Sequence, residues 1–326
     1  MTPIGGYFEL ELSKGCNHYH DTQHILKSGR SSLEHILTCL KPAVVHIPFY
    51  TCDSLLEPFL VTNIRYQFYG INEHLEPLHE IELKENEYYL YINYSDLKGD
   101  TVSRLSELYR DKLIVDCTQA FFMKGNGISW YFNSCRKFFG VPDGSYLYCP
   151  DSKELPQVDE QNENYITDHL LKRFNGHVNE GYITFQNNEV LAGLGIARMS
   201  KLSEYLLSGI NYDAVISIRR SNYDYLHSRL KNINRYKTTT CIYEAPMYYP
   251  LLLDKIINRA HFTAKCIYIP TFWRDTQTRG VDGFEFEKEM PDKMLTLPVD
   301  HRYTIADMEY ISDNIIQLYN NCNDMS

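Results

Sequence analysis

Through the first 150 residues, short runs rich in β-branched and aromatic residues alternate with segments of helical spacing. The β-rich runs are "AVVHIPFY" (43–50), "IRYQFYGI" (64–71), "YYLYINYS" (88–95), "KLIVDCTQAFF" (112–122) and "GSYLYC" (144–149). Between them, "SSLEHILTCL" and "TVSRLSELYRD" place apolar residues three and four apart, as one face of an amphipathic helix does. Strands separated by helices need crossover connections, so the pattern predicts an α/β fold with a mainly parallel sheet between helices. Beyond Pro156 the chain turns polar and then helical, over about 163–174, 187–208 and 212–232. Strands are expected near 240–250 and 264–270, and a last helix in "TIADMEYISDNIIQLYN". This change of texture predicts a large domain over 1–212 and a smaller α+β domain over 213–326.

Composition narrows the partners. The net charge of −10 argues against a nucleic-acid phosphate surface or an anionic membrane as the main partner, though a small anion needs only a few local donors. Nine cysteines are scattered without a Cys-x-x-Cys spacing, which reads as reduced thiols in a cytoplasmic protein. No run of about 18 apolar residues occurs, and the start lacks the basic and apolar regions of a signal peptide, so neither membrane insertion nor secretion is expected. The 27 tyrosines suit clefts, where a ring packs and its hydroxyl bonds.

The candidate chemistry lies in two stretches. In "IVDCTQAF", Asp116 follows an apolar strand, and in open α/β sheets ligands sit beyond the carboxyl ends of strands. Gln119 stands three residues on, and Lys137 follows Asp116 by 137 − 116 = 21 residues, within the aromatic run "SWYFNSCRKFFG". An acid to pair with a protonated pyridine nitrogen and a lysine to condense with an aldehyde are the minimum set for pyridoxal phosphate chemistry. In "LKSGRSSLEHIL", Gly29 precedes a helix with Ser31 and Ser32 as cap candidates, and the free N–H groups at such a start can cradle a phosphate.

The order "GGYFEL", "SGRSSLEHIL", "IPFYTC", "IVDCTQAFF", "SCRKFFGVPDGSYL", "RRSNYDYLHSRL", "YIPTFWR" and "LPVDHRY" resembles the DegT/StrS-type aminotransferases of fold type I, pyridoxal phosphate enzymes that aminate keto sugars. The resemblance covers nearly the whole chain. It implies Lys137 as the lysine that joins pyridoxal 5'-phosphate, Asp116 as the partner of the pyridine nitrogen and Gln119 as the neighbour of the ring hydroxyl. Gly29, Arg30 and Ser31 fall where the family binds the phosphate through backbone N–H groups, and Ser134 is the hydroxyl candidate for the same phosphate. It further implies an amino-acid donor, with glutamate expected, a keto-sugar acceptor carried on a nucleotide, and a homodimer. On this reading, Phe138, Phe139 and the cofactor desolvate Lys137, and Arg136 points to the opposite face of an extended segment as a structural residue.

The chain departs from the family at three places. Where the family often stacks an aromatic residue on the ring, this chain has Cys52, leaving Cys52 or Tyr50 to cover it. The family serine five residues before the lysine is Phe132 here. The Asn-x-Arg through which a neighbouring subunit reaches the phosphate survives only as Arg198 in "GIARMS". A related branch with histidine in place of the lysine removes a hydroxyl instead, so the lysine favours transamination over a sugar dehydratase. A cofactor-binding or regulatory protein that kept the fold and lost turnover is the other rival.

Two further clusters stand apart. In "CNHYHDTQH", His20 and His24 would share a helix face, but no acid or cysteine stands at a metal-ligand spacing, so the segment reads as solvated or at a substrate edge, and no metal is expected. The pair Arg219 and Arg220 reads as the solvated or interface face of a helix, with substrate binding as the second reading.

Overall fold

In the computed structural model, the described residues are all but 1–6, 9, 14, 192–194, 238–244 and 322–326. The first half runs β1 (His24–Leu26), α1 (Gly29–Leu40), β2 (Val44–Pro48), α2 (Glu57–Thr62), β3 (Arg65–Tyr69), β4 (Glu87–Ile92), α3 (Gly99–Tyr109), β5 (Leu113–Cys117), β6 (Trp130–Asn133) and β7 (Ser145–Tyr148). These strands form a seven-stranded sheet of order β1-β7-β6-β5-β4-β2-β3. The pairs β2–β3, β2–β4, β4–β5 and β5–β6 are parallel, whereas β7 runs antiparallel to both β6 and β1. The α/β architecture with a mainly parallel sheet is therefore as the strand–helix alternation predicts.

The central strands read as near-continuous apolar runs because both of their faces are covered. β2 and β5 are buried at every residue, and β4 at all but its first. Burying each large apolar side chain there contributes roughly 1.5–3 kcal/mol. α1 lies on the sheet through Leu33, Ile36 and Leu37, the three-and-four spacing visible in its sequence. Its start is fixed by Ser28, whose side chain accepts from the Ser31 N–H.

The second half runs α4 (Asp168–Phe174), α5 (Val178–Leu191), α6 (Lys201–Ser208), α7 (Tyr212–Leu230), β8 (Tyr248–Leu252), α8 (Ala260–Thr263), α9 (Asp275–Thr278), α10 (Glu285–Lys293), β9 (Met294–Pro298) and α11 (Ile305–Asn321). β8 and β9 form a separate antiparallel pair, and α7 packs on β8 and α11.

Several expectations need correction. The helical stretch expected at 187–208 is two helices, with Gly195 at φ +93 between them, and the first begins as early as Val178. No strand forms at 264–270. There α8 ends and Cys266 turns the chain at φ +58, so β8 pairs instead with Met294–Pro298. The strand expected near 240–250 begins at Tyr248, and residues 238–244 lie outside the described residues, as do Cys241 and Cys322. The seven described cysteines are free thiols. No helix among the described residues is long and apolar enough to cross a membrane.

Candidate functional site

The carboxyl ends of β2, β4, β5 and β6 converge on one edge of the sheet, and the start of α1 abuts it. At the end of β5, Asp116 is 5% exposed, and its Oδ1 accepts the Thr118 N–H at 2.7 Å. Burial pushes its carboxyl pKa up, and the Lys137 ammonium and the N–H and hydroxyl of Thr118 oppose the shift. At the end of β6 the chain makes one 3-10 turn, Cys135–Lys137, and the Lys137 Nζ donates to Thr118 Oγ1 at 3.1 Å. Thr118 thus joins the acid and the amine that the sequence singles out 21 residues apart.

The turn corrects the expected setting of Lys137. Phe138 and Phe139 do not bury the amine. They pack with Phe121, Phe122, Tyr212 and Val215 in a second apolar cluster, and Lys137 itself is exposed. Arg136 is not in an extended segment either. It ion-pairs with Glu189 on α5, and its guanidinium carbon lies 5.8 Å from the centroid of the Phe185 ring. A 3-10 turn spreads successive side chains around its axis, so two neighbours that alternation would set on opposite faces part in this way instead.

Gly29 sits where backbone approaches closely. A Cβ added there would lie 3.0 Å from Thr118 Cγ2 and 3.2 Å from the Asn133 carbonyl oxygen, so the start of α1 touches both strand ends that carry the site. The backbone N–H groups of Gly29 and Arg30 have no helical carbonyl behind them. The Arg30 side chain, largely buried, donates to Glu57 Oε2 at 2.8 Å and the Glu189 carbonyl at 3.2 Å. Ser31 Oγ is buried with no hydrogen-bond partner among the described residues. Ser134, half-buried, joins β6 to the lysine turn next to Asn133, while Phe132 is in the core. The Gly144 N–H donates to the Lys27 carbonyl and its own carbonyl accepts from Cys135, tying the lysine turn to the approach to α1.

Gln119 is 1% exposed. Its Oε1 accepts from the Ser95 N–H at 3.0 Å and the Tyr248 hydroxyl at 3.2 Å, and no described residue bonds its Nε2. Ser95 and Asp96, just past β4, hold positive φ values of 57 and 62, strained for residues other than glycine. Cys52 is half-buried. Burial raises its thiol pKa, and Lys137 and Asp116 act on it with opposite sign, so the thiol lies within electrostatic reach of both. The Tyr50 ring is buried, edge-on to Trp273 at 4.6 Å and stacked at 6.1 Å on Tyr94.

Outside this edge, the histidine segment is largely solvated, with Cys16, Asn17, His18, Asp21 and Gln23 exposed, but it is not helical, and His20 is an exception to the exposure. His20 is 5% exposed, with Nε2 2.7 Å from the Phe121 carbonyl oxygen, and His24 lies on β1. Arg219 is not on a solvated face. It is 1% exposed and donates to the carbonyls of Pro246 and Met247. Arg198 pairs with Glu204 at 3.7 Å.

Sequence reasoning passed over Thr118. Its position inside Asp-x-x-Gln was the available signal, but spacing alone does not say which of the two intervening side chains turns toward the lysine.

No protein-family profile matches the chain, and no curated protein sequence does. Solved structures do. The sugar aminotransferase CalS13 from Micromonospora echinospora is 13% identical, with a TM-score of 0.61 over 89% of this chain and 86% of that one. A DegT DnrJ EryC1 StrS aminotransferase from Brucella abortus is 13% identical, with a TM-score of 0.60 over 90% and 84%. Spr1654 from Streptococcus pneumoniae in its PLP-form is 13% identical, with a TM-score of 0.61 over 91% and 86%. This chain shares their fold.

Proposed function

We propose that the protein is a pyridoxal 5'-phosphate-dependent aminotransferase that moves an amino group from an amino acid, glutamate being the expected donor, to a keto sugar carried on a nucleotide. One observation carries the reading: Lys137 and Asp116, far apart in sequence, meet through Thr118 at the carboxyl edge of the sheet, in a fold shared with sugar aminotransferases.

The residues fit the cofactor. The start of α1 offers N–H groups at Gly29 and Arg30, with Ser31 and Ser134 nearby, to a phosphate, and a Cβ at Gly29 would press on Thr118 and the Asn133 carbonyl beside them. The Asp116 carboxylate suits a ring nitrogen, and the Nε2 of buried Gln119, which bonds no described residue, suits a ring hydroxyl. Cys52, rather than Tyr50, is the side chain available to cover the ring, since the Tyr50 ring is committed to Trp273 and Tyr94. When bound, pyridoxal phosphate supplies an aldehyde and an electron sink.

The chain's own residues do the rest. With the cofactor bound, Asp116 would hold the proton of the ring nitrogen, the Lys137 Nζ would be the group placed to accept and return the substrate's proton, and the α1 start would orient the phosphate. Lysine rather than histidine at position 137 favours amine transfer over dehydration.

We also infer a homodimer in the cytoplasm. Phe174, Tyr182 and Ile183 on α4 and α5 are 89%, 60% and 60% exposed, a density of apolar side chains that suits a covered face. The division into domains 1–212 and 213–326 belongs to the same proposal.

The test is to add pyridoxal phosphate and then glutamate. A visible band that forms and is then bleached by glutamate, and that a nucleotide keto sugar restores, supports the reading. A band that glutamate leaves unchanged favours a binding or regulatory protein, and no band at all refutes the proposal.

A further inference from the structure

We propose that Thr118 is a positioning residue, whose hydroxyl holds the Lys137 amine over the Asp116 carboxylate whenever that amine is not bonded to the cofactor. The inference rests on the function proposed above and adds to it a residue that the Asp-x-x-Gln spacing leaves unassigned.

Lys137 stands exposed on a 3-10 turn, with a long side chain free to sweep through solvent. The contact that orders it is the 3.1 Å hydrogen bond to Thr118 Oγ1. Thr118 is well placed to impose an orientation because it is itself fixed on two sides. Its N–H is bonded to Asp116 Oδ1 at 2.7 Å, and its Cγ2 methyl faces the backbone of Gly29, where even a Cβ would come within 3.0 Å. Being β-branched, it has few χ1 choices, and with the methyl turned to α1 the hydroxyl is left facing Lys137. A lysine used as a proton carrier must return to the same point after each release, and a hydroxyl that accepts one of its N–H bonds fixes where the nitrogen rests. Alanine or valine at position 118 would leave the amine without that rest position, whereas serine would keep it.

The test compares Thr118→Val, nearly isosteric but without the hydroxyl, with Thr118→Ser, and adds Thr118→Ala in case the extra methyl disturbs packing at Gly29. In the cofactor-free protein, trinitrobenzenesulfonate labelling of Lys137 at fixed pH is followed by peptide mass spectrometry. In the loaded protein, kcat and KM for the amino donor are measured. The expectation is that valine and alanine each raise the labelling rate of Lys137 several-fold and lower kcat on the order of tenfold with KM little changed, the size of one lost hydrogen bond to a charged group, while serine keeps wild-type values. Equal labelling and kcat in wild type, valine and alanine would overturn the proposal, as would serine failing as badly as valine. The two levels of failure separate: a wild type that forms no visible band overturns the proposed function and this inference with it, whereas a wild type that forms the band alongside unaffected variants overturns only the role of Thr118.

Discussion

The guanidinium carbon of Arg219 lies 4.7 Å from the centroid of the Phe138 ring, so the residue that follows the lysine in sequence is gripped by a buried cation from α7. The same guanidinium donates to the carbonyls of Pro246 and Met247, and burial pushes its pKa down to about 10. Arg219→Ala leaves those carbonyls short of a donor and opens a void against Phe138. We expect a loss of about 3 kcal/mol in urea unfolding, with weaker cofactor retention because the lysine turn loses its anchor. A loss below about 0.5 kcal/mol would mean that the contact carries no weight.

His20 makes the fold acid-sensitive. Burial keeps its imidazole neutral, with the pKa lowered from 6.5 to about 3, so stability from this group is complete above 6.5 and is lost as pH falls toward 3. Between pH 7 and pH 5 the wild type should lose about 2 kcal/mol through this one residue. In His20→Gln, less stable at pH 7, that part of the decline should vanish. Urea midpoints at the two pH values decide the matter, and parallel declines would contradict the assignment.

Gly29→Ala tests the phosphate cradle apart from the lysine. The added Cβ presses on Thr118 and on the Asn133 carbonyl, beside the N–H groups that would meet the phosphate. Affinity for pyridoxal phosphate should fall by about tenfold, in line with one lost charge-assisted hydrogen bond, and affinity for unphosphorylated pyridoxal should fall less. Equal losses for both aldehydes would place the damage elsewhere.

For Asp116→Asn, turnover should fall on the order of a hundredfold while the cofactor stays bound, since the amide keeps the shape and loses the charge. Unchanged turnover would remove Asp116 from its role.

What could be read ahead of the structure follows the range of the contacts. Asp116, Gln119, Lys137 and Gly29 lie in local patterns, a strand end, an aromatic run and a helix start, and the structure gathers them at one edge. The surroundings of Lys137 are not legible locally, because the path of the chain there is set at a distance. Cys135 bonds Gly144, and Phe138 is drawn to Arg219 some 219 − 138 = 81 residues on. The spacing of His20 to His24 fits a helical face, yet the place of His20 is decided by the Phe121 carbonyl, a contact no local period encodes. β1 is only three residues long and β6 was absorbed in an aromatic run, so neither has a signal of its own until β7 pairs with it. β9 owes its strand conformation to β8 in the same way.

The central claim is that the amine at position 137 bonds to the cofactor's aldehyde. Incubating the full chain with pyridoxal phosphate, reducing the linkage with borohydride and mapping the peptides by mass spectrometry tests it directly. The account predicts one pyridoxyl group per chain on Lys137, and none in Lys137→Ala; a modification that falls on other lysines, or persists in that variant, would contradict it.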